Sequence, residues 1–292
     1  MKTVAVVLLS FFLLPVAAQQ QDEPAWVLVE RAERQIRAGQ FGVAIRELRR
    51  SLALQPQNAE ALFAMGRAYA AVADYSIALD YLSQALEHRD SFPAPELALS
   101  VHYERAGIYY TRRELARYQD ELLMILEQSE PEESFLPERI TPVFRREGLD
   151  RALVLYRVPE NGGTRARGML GELLVGLGQY AGAGEQLALS VIQQLTTVVN
   201  AVRAKDPLYE YTTVMTLLSD AASVEHISDY LGRSLLFHDL YYLAASYWGE
   251  GDQFALELWR MLSELPGSGL WGERAGRQAV DPQLEPLLVP TR

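Results

Sequence analysis

Between residues 25 and 92 the apolar positions keep a helical period, break, resume, and then repeat the whole pattern thirty-four residues later. Leu28, Ala32 and Ile36 share one face of a first helix that should follow Pro24 and run to about Ala38. Gly39 stops it, because a residue without a Cβ enters the left-handed conformation of a helix end freely. Phe41 then opens a second helix as an aromatic wedge, with Ala44 and Ser51 small where two antiparallel helices meet, and Pro56 and Asn58 close the unit. The next copy puts Leu62, Gly66, Ala73-Asp74-Tyr75, Ala78, Leu82 and Ala85 at the matching places, with Asp74 a candidate cap. Neither pair can bury its apolar faces alone, so the pattern predicts further helix pairs beyond residue 92.

The second copy, with Leu62, Met65-Gly66, Tyr69, Asp74-Tyr75, Ala78-Leu79, Leu82 and Ala85-Leu86, resembles the tetratricopeptide repeat (TPR). The first is a fair match that lacks the family's aromatic at Gln35. The resemblance implies an all-α, right-handed superhelix (α-solenoid) of antiparallel helix pairs, some six to eight of them, that binds proteins. Some members of the family grip a C-terminal carboxylate with Lys and Asn. Val29, Glu33 and Arg37 in one repeat and Phe63, Arg67 and Ala71 in the next depart from that set, so this binding mode is not implied.

Weaker copies follow. After the repeats at 25–58 and 59–92, residues 95–128 read as a degenerate third, giving an N-terminal unit over 19–129. Pro131, Pro137 and Pro142 among Glu130, Glu132 and Glu133 predict a linker at 130–142. TPR-like helical repeats are then expected over 143–265. The clear one is at 164–197, where Leu170-Gly171, Gly178-Gln179-Tyr180, Ala183 and Leu187 restore the signature. Gly182 and Gly184 each cost about 1 kcal/mol against alanine in a helix, which predicts a close crossing there. Asp206-Pro207 reads as another helix start. Tyr241, Tyr242, Tyr247, Trp248, Trp259 and Trp271 gather in an aromatic-rich end, read as the closing core of the array. From 266 to 292, Pro266-Gly267-Ser268-Gly269 and three further prolines predict an irregular tail.

Composition changes this picture in three ways. Residues 1–18 carry Lys2, an apolar run too short for a membrane span, and Val16-Ala17-Ala18, which together read as a signal peptide cut after Ala18. A periplasmic or secreted protein without stable membrane insertion is therefore expected. There is no cysteine, which removes disulfides, thiolate chemistry and Cys-ligated metals. The net charge of −11 argues against nucleic acid. Of the 27 basic residues all but Lys2 and Lys205 are arginine, a bias that codon usage explains more simply than anion recognition.

Catalytic signatures are missing. Neither lysine follows a glycine as a Walker-type loop requires, and His88, His102, His226 and His238 form no pair at metal-ligand spacing. No catalytic residue, metal or cofactor is assigned. The expected site is the concave face made by the first helix of each pair: Trp26, Val29, Glu33, Ile36 and Arg37, then Glu60, Phe63, Arg67 and Ala70. Apolar anchors mixed with charge suit a peptide or partner helix, with Arg37 and Arg67 placed to hold carboxylates. The leading reading is a non-catalytic protein-interaction scaffold in the cell envelope. The alternatives are a small-ligand-binding or accessory component of a periplasmic solute transporter, using a pocket near Tyr241 and Trp248, and, remotely, an enzyme with a dispersed site.

Overall fold

The computed structural model describes residues 23–129 and 136–284, so the expected signal peptide lies outside the described residues. Within them the chain is all α-helical. In order the helices are α1 (Ala25–Arg37), α2 (Phe41–Leu54), α3 (Ala59–Ala71), α4 (Tyr75–Glu87), α5 (Leu97–Thr111), α6 (Leu115–Ser129), α7 (Leu136–Leu155), α8 (Thr164–Gly176), α9 (Tyr180–Lys205), α10 (Val214–Ala222), α11 (Glu225–Arg233), α12 (Leu236–Gly249), α13 (Phe254–Glu264) and α14 (Gly269–Val280).

Among the described residues five helix pairs share one turn. Gly39, Ala73, Arg113, Gly178 and Gly251 all have positive φ, between 61° and 80°, at the junctions α1/α2, α3/α4, α5/α6, α8/α9 and α12/α13. In every case the next residue's N–H donates to the carbonyl five positions back: Gln40 to Gln35, Asp74 to Tyr69, Glu114 to Tyr109, Gln179 to Leu174 and Asp252 to Tyr247. This left-handed cap satisfies carbonyls that the helix end leaves bare and reverses the chain in a fixed direction. Asp74 stands at its helix start without a side-chain capping bond, whereas Asn58 Oδ1 accepts from the Ala61 N–H at 2.9 Å.

Small residues let each pair close. A Cβ on Gly66 would stand 2.6 Å from Leu82 Cγ, and one on Gly171 would stand 2.3 Å from Leu187 Cγ. Ser51 is fully buried and its hydroxyl donates to the Ala25 carbonyl at 3.1 Å. Pairs then stack second helix to next first helix, with α2 on α3, α4 on α5, α6 on α8 and α9 on α12. Gly184 makes the expected close crossing, since a Cβ there would lie 3.3 Å from Ser246 Oγ and 3.4 Å from a Tyr247 ring carbon.

The fourteen described helices would make seven pairs, but the repeat turn occurs in five. The others interrupt or end the array: α7, broken at Gly148 (φ 83°), packs on α9; α10 and α11 pack on the 26-residue α9; and α14 closes α13. Three sequence-based expectations are corrected here. Residues 130–135 of the expected linker lie outside the described residues; its remainder is helical from Leu136, because Pro137 lies in the first turn, where an N–H has no helical partner, and Pro142 is accommodated within α7. Nor does it divide the hydrophobic core: Tyr118 and Ile125 before it share one cluster with Phe144, Leu170 and Trp259 after it. Asp206-Pro207 begins no helix; the next starts at Val214, where Thr213 Oγ1 accepts from the Thr216 N–H at 3.1 Å. The tail is not irregular throughout, since Ala275 is fully buried and α14 runs from Gly269 to Val280. Gly272 explains why a glycine-rich stretch can be helical here: its missing Cβ makes room for the Ser268 hydroxyl, so that glycine serves packing rather than a turn.

Candidate functional site

The first helices touch one another along the array, α1 with α3 and α3 with α5, in addition to the contacts through their partners. They form the inner face, and the expected site residues divide on it by burial. Val29 is 1%, Ile36 9% and Phe63 8% exposed, so these three are core rather than open anchors. Phe63 meets Phe92 edge to face at 6.4 Å between centroids, and the Arg67 guanidinium lies over its ring at 5.6 Å. Trp26 is 63% exposed at the start of the array, Arg37 is exposed, and Glu33, Glu60, Arg67 and Ala70 are half-buried.

The charges on this face are paired lengthwise. Arg67 Nη1 donates to both oxygens of Glu33 at 3.0 Å, and its Nε lies 3.7 Å from Glu104 Oε1. Arg37 reaches Glu33 only at 3.9 Å. Arg67, expected to hold a partner's carboxylate, already has carboxylates supplied to it by α1 and α5. The excess lies with the acids. Burial, followed by the nearby charge of Glu33, raises the pKa of Glu60, and burial raises that of Glu104 against the opposing pull of Arg67 and Arg165.

A second polar assembly lies deeper, between α8, α9 and α12, and no residue pattern in the sequence announces it. Asp239 is fully buried; its Oδ2 accepts from Ser190 Oγ at 2.6 Å and Gln194 Nε2 at 2.7 Å, and its Oδ1 faces His238 Nδ1 at 2.7 Å. His238 Nε2 faces Glu172 Oε2 at 3.2 Å. Burial by itself lowers the His238 pKa, but hydrogen bonds to Asp239 and Glu172 and the charge of both outweigh it and push it up to about 9. A hydrolytic triad would need the serine hydroxyl on the imidazole, and here it is bonded to the carboxylate. The assembly holds α8, α9 and α12 together; a Cβ on Gly168 would come 2.4 Å from Asp239 Oδ1, so α8 crosses directly over it. Among the described residues no group of three or more His, Asp or Glu is arranged to hold a metal ion.

The aromatic end is packed solid rather than hollow. Tyr241, Tyr242, Tyr247 and Trp259 are buried, and Trp271 of α14 closes over His238, Tyr241 and Tyr242 at centroid distances of 4.9, 5.4 and 5.9 Å. A groove of about 920 Å³ runs outside α14 to Gln283, at the edge of the described residues.

No protein-family model matches the chain, and no curated protein matches it. Among solved structures the chain is similar to a putative kinesin light chain of Podosopora anserina with nearly identical TPR-like repeats. The identity is 16%, the TM-score 0.44, and 88% of this chain and 97% of that one are covered. A single-substitution variant of the same protein gives 16% identity, a TM-score of 0.45 and coverage of 85% and 96%.

Proposed function

We propose that the protein is a non-catalytic scaffold, exported to the cell envelope, whose inner face captures an extended basic segment of a partner protein. The observation that carries this reading is the imbalance on α1, α3 and α5: Arg67 is spoken for by Glu33 and Glu104, while Glu60 and Glu104 hold carboxylates whose burial is incompletely compensated. A lysine or arginine side chain of a partner would relieve that, and the exposed Trp26 offers it an apolar contact at the open end. Immobilised protein carrying Glu60→Gln and Glu104→Gln should retain at least tenfold less of a partner captured from native envelope than wild type does. Its helical circular dichroism and melting should stay near wild type. Unchanged capture by the double variant would overturn the acidic-face reading. Export is tested separately by sequencing the mature N-terminus from the periplasmic or secreted fraction, where Gln19 is expected first.

A second reading, a small-ligand-binding accessory protein of a solute transporter, is favoured by one observation. A cleft of about 350 Å³ lies at the starts of α8 and α12, with Glu160, Arg165 and Arg233 among its lining residues.

A further inference from the structure

The cleft exists because the repeat is interrupted. Its walls are Glu160 in the loop before α8, Thr164 and Arg165 at the start of α8, Tyr230 and Arg233 at the end of α11, and Leu235 before α12, with Gln194 of α9 beside them.

Three kinds of group converge there. Arg165 and Arg233 are exposed, and neither forms an ion pair among the described residues; Arg165 lies over the Tyr103 ring at 5.8 Å, and Arg233 donates only to the Asp229 carbonyl. The helix starts beside them are already engaged: in α8 the Ala166 N–H donates to the Tyr103 hydroxyl, and α12 carries Asp239 in its first turn. Against the two arginines stands one carboxylate in the cleft wall, Glu160, with Asp239 buried behind Gln194. Glu160 accepts from the Thr197 and Tyr230 hydroxyls at 2.7 and 2.9 Å, both through Oε2, so Oε1 takes no hydrogen bond.

The third group is Gln194, which is only 2% exposed. Its Nε2 donates to Asp239 Oδ2 and Ser190 Oγ, and because a carboxylate only accepts, the amide orientation is fixed. The amide oxygen is therefore turned away from Asp239, accepts from none of the described residues and is not fully buried, on a residue that lines the cleft. It is an acceptor open to a bound donor.

We propose that this cleft binds a small dicarboxylic α-amino acid: the two carboxylates on Arg165 and Arg233, and the ammonium between Glu160 Oε1 and Gln194 Oε1. Two guanidinium groups and one carboxylate are the charge complement of two carboxylates and one ammonium, and the volume lies at the small end of ligand pockets. The proposal rests on the small-ligand reading of the C-terminal half; Arg233 lies apart from the inner face of α1, α3 and α5, whereas Arg165 also acts on Glu104 of α5.

Isothermal calorimetry of the purified protein with L-glutamate and L-aspartate tests it, with glutarate lacking the ammonium and L-glutamine lacking the second carboxylate. Saturable one-to-one binding of at least one acidic amino acid is expected, at least tenfold tighter than glutarate or glutamine. Arg233→Ala, at an exposed helix end, should weaken it about tenfold or more with melting unchanged. Arg165→Ala serves as the second variant. Equal affinity for glutarate, or binding indifferent to both arginines, would overturn the assignment. If neither acidic amino acid binds but a solute screen finds another ligand sensitive to Arg233→Ala, the amino-acid class is wrong and the small-ligand reading stands. If no solute binds, both fall.

Discussion

Glu33 and Arg67 lie thirty-four residues apart, one repeat length, and meet across α1 and α3 with both carboxylate oxygens 3.0 Å from one guanidinium nitrogen. The repeat thus places an acid and a base at the same position of consecutive units, so the array is cross-linked along its inner face. Both side chains are partly solvated, at 30% and 20% exposure, and such a pair contributes about 1 kcal/mol or less at moderate salt. Arg67→Ala should lower stability by about that amount. It should also make the inner face more acidic, so retention of a basic partner should rise rather than fall. A stability loss several times larger in urea titration would show that Arg67 acts mainly by covering Phe63.

Two of the five shared turns place a side chain where glycine is favoured. Ala73 and Arg113 both have φ of 61°. The left-handed conformation costs an ordinary residue roughly 1–2 kcal/mol, offset in part by the greater unfolded-state freedom of glycine. Ala73→Gly should therefore be neutral or stabilise by up to about 1 kcal/mol, whereas Gly39→Ala at φ 72° should destabilise by about 1 kcal/mol. Thermal melts of the two variants should move in opposite directions or differ clearly; equal shifts would show that the turn tolerates either residue.

Gly171 is the tightest of the repeat's helix contacts. A methyl group there meets three Leu187 atoms within 2.9 Å, and Leu187 is itself fully buried. Gly171→Ala is expected to destabilise by about 1–3 kcal/mol through overpacking, despite alanine's better helix propensity. Ala32 and Ala106 occupy the same position seven residues before the turn in the first and third pairs, so the fold survives a methyl there when the partner leucine is set for it. Denaturant unfolding of Gly171→Ala paired with Leu187→Val should recover part of the loss, and no recovery would place the strain elsewhere.

His238 makes stability depend on alkaline pH. Its folded pKa, about 9, lies above the ordinary value of 6.5, so folding favours the charged imidazolium. The contribution is fully present below about pH 6.5 and is lost as pH rises through 9. The difference corresponds to roughly 3 kcal/mol for so buried a group. Melting temperature should fall between pH 7 and 9.5 in wild type, and fall much less in His238→Gln; parallel pH profiles would remove His238 as the cause.

The fold was legible in the chain because it is built from local rules repeated. Leu28, Leu62 and Leu170 mark buried faces by period, Gly39 and Gly178 mark turns by the absence of a Cβ, and Ala44 and Ala78 mark close approach by size. These properties belong to a residue and its near neighbours. What stayed hidden depends on residues brought together from far apart. Val29 and Phe63 read as binding anchors because face membership is readable from spacing, but depth is not: Phe92 and the Arg67 side chain, supplied by other turns, decide that Phe63 is covered. Arg113 at a glycine-like φ shows the reverse, a turn imposed by the pairing of α5 and α6 on a residue that does not ask for it.

The sequence by itself determined the helices of the repeat pairs, their pairing and the thirty-four-residue period, since each follows from side-chain size and spacing within one or two turns; it missed α14 and the helical start of α7. Tertiary structure alone decided which charges are already neutralised, where Asp239 and His238 are buried, and that α10 and α11 fold back onto α9 beside a cleft at the start of α8. Electrostatic partnership and enclosed volume are properties of distances through space, and 34, 66 or 70 residues separate the members of pairs such as Arg67 and Glu33, His238 and Glu172, or Tyr230 and Glu160.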